Sequence, residues 1–472
     1  MKQVHYLIQA LFVALVGLAS LINAVPARAQ PVDVPPTWGG DLESRARLTG
    51  AWGGARDEIG KKGVVLDVDL VSTPTSVVSG GRSTGSETWS NAYYTLNVDT
   101  GKLGLWPGGF LKIEGNTGFG SNVFGKVGAI VPPNAAALLP APNDETTALT
   151  NATFLQFLSE KFGLLIGKIN TLESSPQEFY GNYNTQFLNA AFCFPMTLAQ
   201  VPTSAYGGGA IALPTKNTVL SLIALDPNGT ATSNSLDNIF NNGVMLVGSG
   251  QLTIKPFDLI GHQTLGFSWS NKERFSLQQD PSNIARLLLQ ARFPALADPG
   301  PVLEEILARF FPGLIIPAQP ANRTSSTWSV SYAVDQYLWQ PAGDTKHGIG
   351  AFLSVGASDG DPNPIKWAFL AGIGGKGIGS HRADDSYGVG FARTQFSGAF
   401  VPFLRERLQL GLDHEDAVEM YYNMAVTGWL SATADLQIIN PGLKKALNSS
   451  GPPALTNVDT AVVAGIRFRV RF

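Results

Sequence analysis

The chain ends on a strict two-residue alternation. Ala464, Ile466, Phe468, Val470 and Phe472 fall on one face, and Arg467, Arg469 and Arg471 fall on the other. Only an extended strand sends successive side chains to opposite faces. A guanidinium at every second position further requires that one face be apolar and the other wet. The same split recurs upstream. Val418, Met420, Tyr422 and Met424 alternate with Glu419, Tyr421 and Asn423; Tyr94, Leu96 and Val98 alternate with Tyr93, Thr95, Asn97 and Asp99; Leu66, Val68 and Leu70 enclose Asp67 and Asp69.

Such strands suit either a soluble antiparallel sandwich or a transmembrane barrel whose wet face lines a lumen. Connection lengths separate the two. The intervals between predicted strands run long and short in turn: 72–90, then 100–108; 116–151, then 160–163; 171–203, then 214–216; 226–242, then 256–261. They continue with 273–325, then 340–347, and with 398–414, a tight turn near Gly428, and 441–456; only 359–363 breaks the rule. A membrane barrel has short turns at one rim and long loops at the other, a rhythm a sandwich does not need. The predicted fold is therefore all-β, a transmembrane antiparallel β-barrel of sixteen strands with both chain ends on the periplasmic side. Closure pairs every backbone N–H and C=O, which hydrocarbon demands. Trp89, Trp106, Trp269, Trp328, Trp339, Trp367 and Trp429 sit near predicted strand ends, as an aromatic girdle at headgroup level would.

Composition agrees with this reading. Charged residues make up 15% of the 472, against about a quarter in ordinary soluble domains, and 52 residues are glycine. The net charge of −3 argues against a nucleic-acid partner. At the N-terminus Lys2 and His5 precede an apolar run from Tyr6 to Ile22, and Ala27-Arg28-Ala29 follows in the A-x-A pattern of a signal-peptidase site. Residues 1–29 are read as a signal peptide, 30–63 as an N-terminal periplasmic segment with a short helix over Gly53–Lys62, and 64–472 as the barrel domain. Two further helices, Ile284–Ala291 and Val302–Phe311, are expected inside the insertion 273–325, either external or folded into the pore. Removing Lys2 and Arg28 with the signal takes the net charge from −3 to −5.

No catalytic constellation emerges. Gly120-Ser121-Asn122-Val123-Phe124-Gly125-Lys126-Val127 imitates a phosphate-binding loop, but Val127 stands where a hydroxyl must hold magnesium. Gly356-Ala357-Ser358-Asp359-Gly360 imitates a nucleophile elbow, yet Asp361-Pro362-Asn363-Pro364 forbids the helix that must follow. The five histidines never pair at metal-ligand spacing, so neither metal nor cofactor is expected. Cys193 is read as a packed thiol. The sequons at Asn151 and Asn228 are read as chance.

Several separate segments resemble the OprB-type family of carbohydrate-selective outer-membrane porins. Leu48-Thr49-Gly50-Ala51-Trp52-Gly53-Gly54-Ala55-Arg56 is similar to the family's LTGxWGGxR signature, and Gly80-Gly81 to its first-loop glycine pair. Lys102–Gly109 resembles its first periplasmic turn and Ile166-Gly167-Lys168-Ile169-Asn170 its fifth strand. Glu419-Met420-Tyr421-Tyr422-Asn423, Trp429-Leu430, Asp435–Pro441 and the final Phe472 carry the strongest likeness. Ala51, Gly428, Ala434 and Lys168 depart from the family's usual residues. The resemblance implies sixteen strands, inward-folded loops that narrow the channel, and passive uptake of sugars across a Gram-negative outer membrane.

A sugar offers hydroxyls that donate and accept, together with apolar C–H faces, so a selective lumen needs charged groups and flat rings acting in series. The expected pore-lining residues are Arg82 in the first loop, Lys112 and Glu114 on the third strand, Lys168 on the fifth, Glu419 and Tyr421 on the fourteenth, and Arg467 and Arg469 on the last. Charges of both signs favour neutral solutes. Porins for polyols or organic acids, a barrel enzyme and a soluble secreted β-protein are the competing readings. The expected partners are carbohydrates and outer-membrane lipids, with the barrel a monomer or a homotrimer.

Overall fold

The computed structural model describes residues 40–472 apart from 143, 173–176, 234–235, 284–304, 307–308, 311–318, 378–381, 403–404, 407–408 and 448–453. The expected signal segment and the expected helices Ile284–Ala291 and, for the most part, Val302–Phe311 lie outside the described residues. Sixteen strands form one closed antiparallel barrel, each paired with its sequence neighbour. They are β1 (Val64–Gly81), β2 (Gly85–Asp99), β3 (Gly109–Gly120), β4 (Thr146–Ser159), β5 (Phe162–Asn170), β6 (Ser204–Thr215), β7 (Thr218–Leu225) and β8 (Met245–Ile254). The circuit continues with β9 (Gly261–Ser270), β10 (Thr327–Trp339), β11 (Gly348–Ser358), β12 (Ile365–Lys376), β13 (Ser386–Phe396), β14 (His414–Ala425), β15 (Leu430–Asn440) and β16 (Asp459–Arg471). Closure comes from β16 pairing with β1, Val71 opposite Arg469 and Thr75 opposite Gly465.

The alternation sorts the side chains as a lipid-facing wall requires. Paired residues share a face, so Asp69 lies with Tyr93, Tyr93 with Asn116, and Thr95 with Glu114 on the inner side. Tyr94, one position on, is outward and exposed, as are Met420, Ile466 and Phe468 among the apolar outer positions. The three arginines of β16 point inward. The short helix α1 (Ala55–Lys61) precedes β1 at the rim of short turns, where Arg56 donates to the Phe472 carbonyl (2.9 Å) and Arg47 to Asp67 (2.6 Å).

Two expectations are corrected. The interval 72–90 is not a long loop: β1 and β2 pair from Val64 opposite Val98 up to Val77 opposite Gly85, and a tight hairpin joins them. Hydroxyl pairs extend the ladder there, Ser72 with Ser90 (3.0 Å) and Ser76 with Ser86 (2.6 Å). The reversal uses Gly80 and Gly81, both at positive φ, where a Cβ would be strained. Trp89 is not a girdle residue either. It pairs with Thr73 on the inner face and is 2% exposed, whereas Trp269, Trp328 and Trp367 stand on the outer face.

The hydrophobic core lies inside the barrel. Loop 171–203 dives into the lumen and packs Phe179, Tyr180, Phe187 and Phe192 against Tyr337, Phe352 and Tyr421 of the wall. Phe187 stacks on Phe192 with centroids 4.5 Å apart and meets Tyr421 edge-on at 4.7 Å, while Tyr180 stacks on Phe352 at 4.9 Å. The wall facing these rings is glycine-rich because the rings leave no room. A Cβ on Gly374 would lie 2.7 Å from that of Phe179, and one on Gly390 2.6 Å from the Phe192 ring. Loop 121–145 folds in beside it, and the two are tied by Ala135 N–H to the Leu188 carbonyl (2.7 Å) and Ala190 N–H to the Pro132 carbonyl (2.9 Å).

Candidate functional site: the narrowed lumen

Because loop 171–203 leans on β10–β14, free space remains along the opposite wall, β16 and β1–β5. A cavity of about 220 Å³ lies there. It is lined by Asp69, Tyr93, Glu114, Asn116 and Arg469 from the wall and by Asn182, Tyr183 and Asn184 from the inner loop. Arg469 donates to Asp69 through Nε (3.0 Å), and Lys112 pairs with Glu114 (2.9 Å). Tyr93 and Tyr183 face one another across the gap, centroids 6.5 Å apart. Acid, base, carboxamide and ring therefore converge, the set of groups that can exchange hydrogen bonds with hydroxyls and cover C–H faces.

A second, wider cavity of about 640 Å³ opens on the other side of the loop tip, lined by Gln177, Glu178, Asn182, Lys346, His347, Lys376 and Asp385. There Glu178 accepts from Lys376 (2.5 Å) and from the Tyr337 hydroxyl (3.2 Å). Asn182 lines both cavities. Among the described residues no three His, Cys, Asp or Glu side chains converge as metal ligands.

The inner loop is held by buried charges. Glu419, with no exposed surface, accepts the backbone N–H groups of Leu188 and Asn189. Arg467 donates to the carbonyls of Tyr183 (2.8 Å) and Gln186 (2.7 Å) and to the Thr433 hydroxyl (2.9 Å). Gln437 bridges both loops, accepting from Asn189 (3.2 Å) and donating to the Pro133 carbonyl (2.8 Å). Glu415 accepts the N–H groups of Ile130 (2.7 Å) and Val131 (2.9 Å). Asn189 caps the short helix α2 (Ala190–Cys193) by accepting from Ala191 N–H. Cys193 ends that turn; burial, reinforced by the nearby Glu419, pushes its thiol up, the opposite of what a nucleophile needs.

The expected pore residues thus separate into groups. Glu114 and Arg469 line the narrow cavity and Lys112 braces Glu114. Glu419, Tyr421 and Arg467 point inward, but they are covered by the inner loop and act as its anchors. Arg82 stands exposed at the hairpin on the long-loop rim, its N–H bonded to the Lys126 carbonyl (2.7 Å). Lys168 is a correction. It pairs with Ala152 and Tyr206 on the face shared by Ile166, which is 66% exposed toward lipid. The residue is only 1% exposed, and its ammonium donates to the carbonyls of Ala231 (2.8 Å) and Ser233 (2.7 Å) in loop 226–244. Asp69, Tyr93 and Asn116 carried the inner-face signal in their alternation. The loop residues Asn182, Tyr183 and Asn184 carried none.

Comparison with known proteins places this geometry. The carbohydrate-selective porin family OprB matches residues 85–472, from β2 to the last residue. A search of curated proteins finds no match. Among solved structures, the high-pH form of Pseudomonas putida OprB superposes with a TM-score of 0.72 at 18% identity, covering 91% of this chain and 99% of that one. The low-pH form of the same protein gives 0.52 at 15% identity, with the same coverage of both chains. At those identities the superpositions speak for the fold, and the family match over most of the chain speaks for membership. The chain belongs to the OprB family of carbohydrate-selective porins, channels of the Gram-negative outer membrane rather than enzymes.

Proposed function

We propose that neutral mono- and small oligosaccharides cross this barrel along the β16–β5 wall, between it and the inner loop. The observation that carries the reading is the convergence of Asp69, Glu114, Arg469, Asn116 and Tyr93 on one cavity. Paired charges of opposite sign present hydrogen-bonding groups without a net field, which suits an uncharged solute. Several weak polar contacts in series select without trapping. Residues 1–29 act as an export signal cleaved after Ala29, and N-terminal sequencing of the membrane protein tests this.

Liposome swelling tests the transport reading. Vesicles containing the protein should swell faster in isotonic glucose than in isotonic gluconate. Equal rates, or a preference for gluconate, would contradict a lumen built for neutral sugars.

A further inference from the structure

The outer wall of the barrel carries few charges. Among the ladder-paired positions that face outward, the ionisable side chains other than tyrosine are Lys168 on β5, Arg393 on β13, and His414 and Asp416 on β14. Lys168 is covered by loop 226–244 and bonded to its carbonyls. The other three stand together on neighbouring strands at the long-loop rim, and they are left open. Arg393 lies opposite Asp416 and donates to it through Nε (2.7 Å) and Nη2 (2.8 Å), with 38% and 19% of the two side chains exposed. Trp367 lies opposite Gln395, and Phe369, two residues nearer the middle of the barrel, lies opposite Arg393. The ion pair is therefore about 7 Å along the strand inside the rung of the outer tryptophan. At that depth lipid headgroups give way to acyl chains.

A charge that faces lipid is costly at mid-membrane and tolerated near the interface, where it can meet a headgroup. The rim around this pair is cationic on balance. Lys444 reaches Asn440 (2.5 Å), which stands opposite Asp416, and Arg405 pairs with Asp413 (3.5 Å), to which His414 also bonds (2.9 Å). Among the described residues of this patch, the fixed cations Arg393, Arg405 and Lys444 thus meet only the carboxylates Asp413 and Asp416. Asp416 takes one edge of the Arg393 guanidinium and leaves Nη1 on the other side. Guanidinium donors match phosphate oxygens in geometry as well as charge. Directly beneath, the outward side chains Phe391, Val389 and Met420 are apolar and exposed. Charge above and hydrocarbon below is the division that a lipid molecule carries along its own length. We propose that this patch docks a phosphorylated glycolipid of the outer leaflet, with a phosphate against Arg393 and Lys444 and an acyl chain along β13 and β14. A soluble protein does not reach the lower half of this surface. A second copy joined by a two-fold contact would set the same cationic surplus against itself.

Native mass spectrometry of the detergent-solubilised protein reads the site, with bisphosphorylated lipid A as the probe and the same lipid A freed of both phosphates as the control. The native protein should bind the bisphosphorylated form saturably and the dephosphorylated form about tenfold more weakly, the loss of a charge-assisted contact. The double variant Arg393→Gln with Asp416→Asn keeps the shape of the pair and leaves no charge unpaired. It should weaken lipid A binding about tenfold, and Lys444→Gln should weaken it in the same direction. Sugar block of the channel should not move in either variant, because the patch lies outside the lumen. If the double variant does not fold, Lys444→Gln, which lies beyond the strands of the barrel, decides the matter. Equal binding of the two lipid forms would overturn the proposal, as would binding unchanged in the double variant, or in Lys444→Gln where that variant stands alone. A native oligomer that the double variant dissociates would also overturn it, since the patch would then be a contact between copies.

Discussion

Removing the Glu419 carboxylate should open the channel without unmaking the barrel. In Glu419→Ala the N–H groups of Leu188 and Asn189 lose their acceptor in a site with no access to solvent. Each buried donor left unpaired costs roughly 1–3 kcal/mol, so the seated loop loses about 2–6 kcal/mol relative to a displaced one. Even the lower figure changes the balance of seated and displaced loop by about 30-fold. The sixteen-strand ladder does not depend on this bond, because β14 keeps its backbone pairing with β13 and β15. In planar bilayers, Glu419→Ala should give larger single-channel steps, flicker between levels and weaker sugar block, with Glu419→Gln in between. Steps and block constants identical to the native protein would refute the assignment of Glu419 as the loop's anchor.

Other outcomes follow from the same geometry. Arg469→Ala leaves Asp69 without its cation in the narrow cavity; sugar block should weaken about tenfold, the loss of one charge-assisted bond, and reversal potentials in a salt gradient should move toward cation preference. Lys168→Ala should leave sugar block unchanged, since its ammonium lies on the outer face under loop 226–244; a changed block constant would return Lys168 to the lumen. Phe187→Ala removes the ring at the centre of the inner-loop core, should cost about 3–5 kcal/mol, and should lower the urea midpoint while raising open-channel noise.

The fold was legible because a lipid-facing strand repeats one simple rule. Asp459–Arg471 and the first half of Val64–Gly81 separate their environments at every second residue, and periodicity exposes that directly. Register and loop trajectory are not periodic properties, and there the reading failed. In Ile166-Gly167-Lys168-Ile169 both neighbouring faces look apolar. Ile169 in fact points inward, into a cluster with Ala205, Leu225 and Met245 that the inner loop covers through Val201, and this sends Lys168 out. A lumen assumed wet everywhere misassigns such a strand. Glu419, Tyr421 and Arg467 were placed on the correct face, yet the inner-loop groups they hold, the N–H groups of Leu188 and Asn189, the Phe187 ring and the carbonyls of Tyr183 and Gln186, lie more than two hundred residues earlier in the same chain. Nothing near position 188 announces that its backbone will sit against position 419. Trp89 misled for a related reason: tryptophan at a strand end fits a membrane girdle and a loop-covered cavity equally well, and only the pairing with Thr73 decides between them.

Sugar block of single-channel conductance tests the central claim most directly. With the mature protein in a planar bilayer, neutral mono- and disaccharides should reduce the current saturably, and Arg469→Ala should shift that saturation to higher sugar concentration. A stable current that no sugar reduces would keep the barrel and contradict a sugar-binding conduit along the β16–β5 wall.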